Sequence, residues 1–222
     1  MSTLTRTLNS TIGRKVTMSI TGLFLLSFLL VHLSGNFQLF MDDGGLQFNA
    51  YAKFMTTNPI IRISEIILLL GFLVHIFQAI SITRKNQNAK GPTYEVKAAN
   101  KATWFSRNMG LSGTIVLIFL VVHLKNFYYE LKWGGIGLDS AGNKDLYTVV
   151  VTMFKNEWWY GVLYVIAMVL LAFHLNHGLQ SAFKTLGFNN NKYSPTIAFL
   201  GSALAILIPA AFAAFPIYFF FA

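Results

Sequence analysis

Five histidines, His32, His75, His123, His174 and His177, are the side chains in this sequence whose type and spacing best suit metal chemistry, and all five lie inside long apolar stretches. An imidazole in hydrocarbon is costly unless it faces protein, so each is a candidate functional group. Interhelical hydrogen bonding accounts for a single such histidine. It accounts poorly for histidines on four successive apolar segments. The chain has no cysteine, which excludes disulfides, thiolate-held clusters and covalently attached c-type haem. Any redox group here must be held by other side chains.

The elements that position these rings follow from charge spacing. Stretches 16–41, 66–83, 108–124, 158–183 and 193–222 contain no Asp, Glu, Lys or Arg, and roughly 20 apolar residues cross a bilayer as a helix. The composition is 55% hydrophobic and 11% charged, far from the roughly 25% charged residues of a soluble domain. These features predict an all-α membrane protein of one domain over residues 1–222. Its five transmembrane helices are expected near 16–40, 62–84, 107–127, 158–184 and 194–220. The N-terminal MSTLTRTLNSTIGRK reads as a short leader into the first span, because the apolar run after it is too long for a signal peptide. The second outside connection is long enough for a small amphipathic piece. Pro209 and Pro216 are expected to kink the last helix.

Charge sets the expected orientation. With the N-terminus inside, the inside segments hold eleven Lys and Arg against one acid, Glu95, and the outside segments six basic residues against seven acids. Lys and Arg accumulate in cytoplasmic loops, so the N-terminus is expected in the cytoplasm and the C-terminus outside. The net charge of +9 then reflects topology and anionic lipid. No nucleic-acid partner is expected.

Depth sorts the histidines into two layers. At about 1.5 Å per residue, His75 lies roughly 14 Å from Arg84, His177 roughly 10 Å and His174 roughly 15 Å from Lys184, all near the inside surface. His32 and His123 lie about 26 Å past Lys15 and about 24 Å past Arg107. Helices two and four thus supply a shallow inside layer, and helices one and three a deeper one. Two stacked pairs of imidazoles suit two bis-histidine b-type haems, with the first four helices forming the haem-binding bundle. Iron filled on both axial positions leaves no open site for oxygen and is built to carry electrons. Structural zinc, which needs four ligands at one point, does not fit two depths. The segments GLFLLSFLLVHLSGNF (22–37) and GTIVLIFLVVHLKNF (113–127) each place a glycine ten residues before a VHL, at the level of the inside layer. Either His174 or His177 reaches that layer; three residues turn a helix about 300°, so their rings point roughly 60° apart.

Together, VHLSGNFQLF (31–40), EIILLLGFLVHIFQAI (65–80), FLVVHLKNF (119–127) and HLNHGLQSAFKTLG (174–187) resemble the di-haem cytochrome b subunit of succinate:quinone oxidoreductases. The likeness is to the single-subunit, five-helix type of succinate dehydrogenases and fumarate reductases. The resemblance implies that His75 and His177 bind the iron of the proximal haem and His32 and His123 that of the distal haem. His174 is then a neighbour to a propionate or ring, or the alternative ligand. Ser19, Trp104, Arg107 and Lys184 are at a height suited to haem propionates, and Ser19 also matches a family position. Glu65, with Arg62 one turn before it, is the candidate for proton exchange with a quinone; Asp42, Tyr51 and Lys53 are weaker ones.

The resemblance further implies a membrane anchor that passes electrons between an iron–sulfur subunit and membrane quinone, expected to be menaquinone. FAD and iron–sulfur clusters would sit on a flavoprotein and an iron–sulfur subunit at the cytoplasmic face of a bacterial inner membrane. Dicarboxylate chemistry would occur there and not on this chain. Two alternatives stand beside it: the cytochrome b anchor of a hydrogenase or formate dehydrogenase, and a haem-free transporter or scaffold using histidines as proton relays.

Overall fold

A computed structural model of the chain describes residues 10–89, 108–188 and 190–222. Among these residues five helices are long and apolar enough to cross a membrane, with two shorter helices between them. The first span, α1 (Thr11–Asn36), starts where the Ser10 hydroxyl accepts the Gly13 amide at 3.0 Å, an N-cap that satisfies one free backbone donor. It runs on through a tight turn at Phe37–Phe40. Glycines 44 and 45 then take left-handed backbone angles, φ 65° and 85°, which turn the chain into α2 (Leu46–Thr57). Pro59 opens α3 (Pro59–Ala89), at a position where its missing N–H costs nothing.

Next comes α4 (Met109–Trp133), whose middle widens into a π-helical turn over Leu124–Tyr129. The short helix α5 (Leu146–Asn156) is capped by the Asp145 carboxylate, which accepts the Thr148 amide at 3.0 Å. The chain closes with α6 (Trp158–Thr185) and α7 (Ser194–Phe221). The helix α7 runs unbroken through Pro209 and Pro216, both fully buried, where a kink is expected from sequence. Neighbouring helices can re-satisfy the carbonyls a proline frees. The expected connection between the first two spans contains α2, and the amphipathic piece expected in the later one is α5.

The spans expose what lipid would cover. On α3, Ile66, Leu69, Leu73 and Phe77 are all exposed, Phe77 by 70%, a surface far too apolar for water. Burial instead concentrates between α6 and α7. Tyr160, Tyr164, Ala167, Met168, Leu171, Leu179 and Ala182 recur on one helical face, against Gly201, Ala205, Ile208, Phe212, Phe215 and Phe219. Since lipid removes most of the hydrophobic drive between helices, close packing has to hold them, and small residues permit it. A Cβ on Gly201 would stand 3.7 Å from Leu179.

One end of the bundle carries a cap. Asn49 of α2, 1% exposed, donates to the Asp145 carboxylate at 3.0 Å and accepts the Tyr147 amide at 2.9 Å, tying α2 to α5. Burial raises the Asp145 carboxyl, but hydrogen bonds from Thr148 and Asn49 outweigh it and hold the group below its ordinary value. The helix α1 begins at the opposite end.

Candidate functional site: two histidine layers

Four of the five histidines, one each from α1, α3, α4 and α6, form two ring pairs. His32 and His123 stand with centroids 5.8 Å apart, edge to face. His75 and His174 stand with centroids 6.3 Å apart. The pairs lie at different levels because of α1 and α4. A Cβ on Gly22 would meet Cε1 of His75 at 3.5 Å, and one on Gly113 would meet Cε1 of His174 at 3.5 Å. His32 and His123 each follow their glycine by ten residues, about 15 Å of helix. The His75–His174 pair therefore forms a near layer, towards the start of α1, and His32–His123 a far layer, towards the cap.

The surroundings of each ring differ. Thr21 Oγ1 lies 3.2 Å from His75 Nδ1. In the far layer His32 stacks on Phe28, 5.4 Å away, and tilts against Phe212. His123 is enclosed by Phe119, Phe127 and Tyr164. Among the described residues, His123 Nδ1 and His174 Nδ1 are buried without a hydrogen-bond partner. No three His, Asp or Glu side chains converge in the described part of the chain; imidazole pairs are the recurring unit.

These pairs fit a metal that takes two axial imidazoles. With about 2.0 Å for a metal–imidazole bond and about 1.1 Å from nitrogen to ring centre, two such rings have centroids about 6 Å apart. Both observed separations agree. Glycine at positions 22 and 113 keeps the space beside the near-layer rings free of side chain, as a flat macrocycle requires.

The ring opposite His75 is that of His174. His177, which the resemblance assigns to the iron, lies on α6 one turn towards Lys184 and is half-buried. The rotation of α6 that turns His174 inward is held from behind by α7. Asn176 Oδ1 accepts from Ser202 Oγ at 2.9 Å and from Gln180 at 2.9 Å.

The other candidates divide. Ser19 is buried and donates to the Lys15 carbonyl of its own helix at 2.9 Å. Lys184 is exposed in the last turn of α6. Trp104 and Arg107 lie outside the described residues. Arg14, not singled out by sequence reasoning, crosses from α1 to donate to Ser81 of α3 at the near end; its signal was a basic residue on the first turn of a span. Asp42 and Lys53 are exposed. Tyr51 packs so closely on Gly35 that no side chain would fit there.

Glu65 precedes His75 by ten residues, which places it about 15 Å along α3, level with the far layer. It is paired with Arg62, as i,i+3 spacing suggests. It also accepts a hydrogen bond from Tyr128 of α4, a partner missed from sequence. Tyr128 lies within the π-helical turn, whose extra residue shifts the phase of everything after His123. The Lys132 ammonium stands 5.8 Å over the Tyr128 ring.

A bundle of apolar helices long enough to span a membrane, with paired histidines inside it, is the arrangement expected of an integral-membrane cytochrome b. Residues 84–208, more than half of the chain, match the succinate dehydrogenase/fumarate reductase transmembrane subunit family, and the protein belongs to it. It is thus a membrane-anchor subunit of a succinate:quinone oxidoreductase complex, from a haem-binding cytochrome b family. His123, His174 and His177 fall inside the matched stretch; His32 and His75 precede it. No curated protein and no solved structure gives a significant match to the chain.

Proposed function

We propose that the whole chain is one di-haem cytochrome domain that links the catalytic subunits of a succinate dehydrogenase or fumarate reductase to membrane quinone. His75 and His174 would hold a haem b in the near layer, and His32 and His123 a second in the far layer. The observation that carries this reading is the ring separation, 6.3 Å and 5.8 Å in two layers, each close to what a shared axial metal requires. His174 is preferred to His177 because its ring faces His75 across the space left by Gly22 and Gly113.

Haem b would supply a one-electron iron couple in each layer. The protein's part would be to hold each haem between two neutral imidazoles and to exclude water with the aromatic rings around His32 and His123. Arg14, at the near end, would meet negative propionates, since a guanidinium suits a carboxylate through paired hydrogen bonds; Ser19 would join it by turning its hydroxyl proton away from the Lys15 carbonyl. Lys184, Trp104 and Arg107 are further candidates for that role. At the far level, Glu65 can take up or release a proton for a quinone, with Tyr128 and Arg62 orienting its carboxylate.

The near end carries the start of α1, and the excess of Lys and Arg in the segments on that side of the sequence supports a cytoplasmic face there. The iron–sulfur subunit would dock on that side, with the flavoprotein and its FAD beyond it, in a bacterial inner membrane. Menaquinone is the proposed quinone.

The test is the purified complex. A reduced-minus-oxidised spectrum with about two b haems per chain, together with FAD and iron–sulfur partner subunits, is the expected result. One haem per chain, or partners containing nickel or molybdenum, would overturn the assignment.

A further inference from the structure

The two glycine–histidine contacts repeat one another. Gly22 meets Cε1 and Nδ1 of His75 at 3.5 and 3.9 Å, and Gly113 meets the same atoms of His174 at 3.5 and 3.8 Å, each from the position of an added Cβ. Each glycine stands ten residues before a far-layer histidine on its own helix and faces a near-layer histidine on the next span. The residue before each glycine is a hydroxyl: Thr21 before Gly22 and Ser112 before Gly113. The near layer is therefore built from two equivalent half-sites, hydroxyl–glycine on one helix and histidine on another.

The first half-site shows what the hydroxyl does. Thr21 Oγ1 lies 2.9 Å from the Thr17 carbonyl, to which it donates. With its one proton spent there, its lone pairs can only accept at 3.2 Å from His75 Nδ1. That bond assigns the proton to Nδ1 and leaves Nε2 as the bare lone pair for a metal. In the second half-site Ser112 Oγ donates to the Met109 carbonyl at 3.1 Å. The corresponding nitrogen, His174 Nδ1, is buried and has no partner among the described residues. Ser112 holds the same place before Gly113 that Thr21 holds before Gly22, and a hydroxyl whose proton is spent keeps lone pairs that can accept.

We infer that Thr21 and Ser112 are a matched pair of positioning residues whose hydroxyl oxygens accept the Nδ1–H of His75 and His174 and so set the redox potential of the near haem. An acceptor on the outer nitrogen makes an axial imidazole a stronger donor, which favours the oxidised iron and lowers its potential. Among the described residues no hydroxyl is bonded to a far-layer ring, and the side-chain nitrogen of Asn36, a donor, lies 3.4 Å from His32 Nδ1. His123 Nδ1 is buried and unpartnered, within a shell of Phe and Tyr rings. The inference rests on the di-haem reading above and goes further, because it names side chains that act on the near haem and not on the far one.

The test uses the intact complex carrying Thr21→Val, Thr21→Ser, Ser112→Ala and the Thr21→Val/Ser112→Ala double variant. Haem is counted per chain and each midpoint is read by potentiometric titration. His75→Ala identifies which midpoint belongs to the near haem. Thr21→Val and Ser112→Ala are each expected to move the near-haem midpoint positive and leave the far-haem midpoint in place. The double variant should move it further, and Thr21→Ser should return it towards wild type. Two haems with an unmoved near midpoint, or equal movement of both midpoints, would overturn the inference while the di-haem reading stands. A wild-type complex without two haems would overturn that reading and this inference with it.

Discussion

Gly113 of α4 lies against the ring of His174 on α6, so close that the smallest side chain would stand 3.5 Å from its Cε1. The same contact joins Gly22 to His75. A contact of that length is ordinary van der Waals packing, whereas a longer side chain would fill the space between the rings. Gly22→Ala and Gly113→Ala should therefore keep both haems, while Gly22→Leu and Gly113→Leu should lose the near haem and keep the far one. Haem quantitation with separate redox titration of the two centres checks this. Loss of the far haem alone would show that the layers are assigned to the wrong glycines.

Glu65 has two partners, Arg62 on its own helix and Tyr128 across from it. If its proton serves a quinone, Glu65→Gln should keep both haems and slow quinone turnover by about 10-fold or more, since general acid–base groups commonly contribute 100-fold and upward. Tyr128→Phe should have a smaller effect of the same kind and alter the pH profile of turnover. Quinone assays on the purified complex measure both. Unchanged turnover in Glu65→Gln would reduce the carboxylate to the interfacial partner of Arg62.

The cap gives a prediction about stability. Asn49→Ala removes two buried hydrogen bonds, strands the Tyr147 amide and leaves the Asp145 carboxylate with its bonds from Thr148 alone. The unpaired Tyr147 amide should cost about 1–3 kcal/mol, seen as a lower thermal midpoint in detergent. Asp145 is held below its ordinary pKa of 3.8 despite the burial that raises it. A carboxylate whose folded pKa is depressed stabilises the fold above its unfolded pKa and loses that contribution as pH falls through the folded value. The gap between wild type and Asp145→Asn should therefore be full above about pH 4 and shrink as the pH falls below it. A gap that does not change with pH would show that the Asp145 charge is not what the cap uses.

What the sequence disclosed and what it hid follow from helix geometry. Position along a helix is linear in residue number, so the depths of His32, His75, His123 and His174, and the ten-residue offset of Gly22 and Gly113, were legible before any coordinates. Rotation about a helix is less so. His174 and His177 differ by roughly 60°, and the inward choice follows how α6 is turned by Asn176, Gln180 and Ser202 against α7. Tyr128 was hidden for a related reason. A 3.6-residue period extrapolated past His123 points it elsewhere, and the π-helical turn at Leu124–Tyr129 resets that phase. Likewise α2 and Asn49 leave little trace in the sequence, because a short helix held by distant side chains has little pattern of its own.

The identity of the near-layer ligand is the point on which the account turns, and haem content of two single variants measures it. In the purified complex, His174→Ala should retain only the far haem, about one per chain by pyridine haemochrome, while His177→Ala should retain two. The reverse pattern, two haems in His174→Ala and one in His177→Ala, would contradict the pairing of His75 with His174.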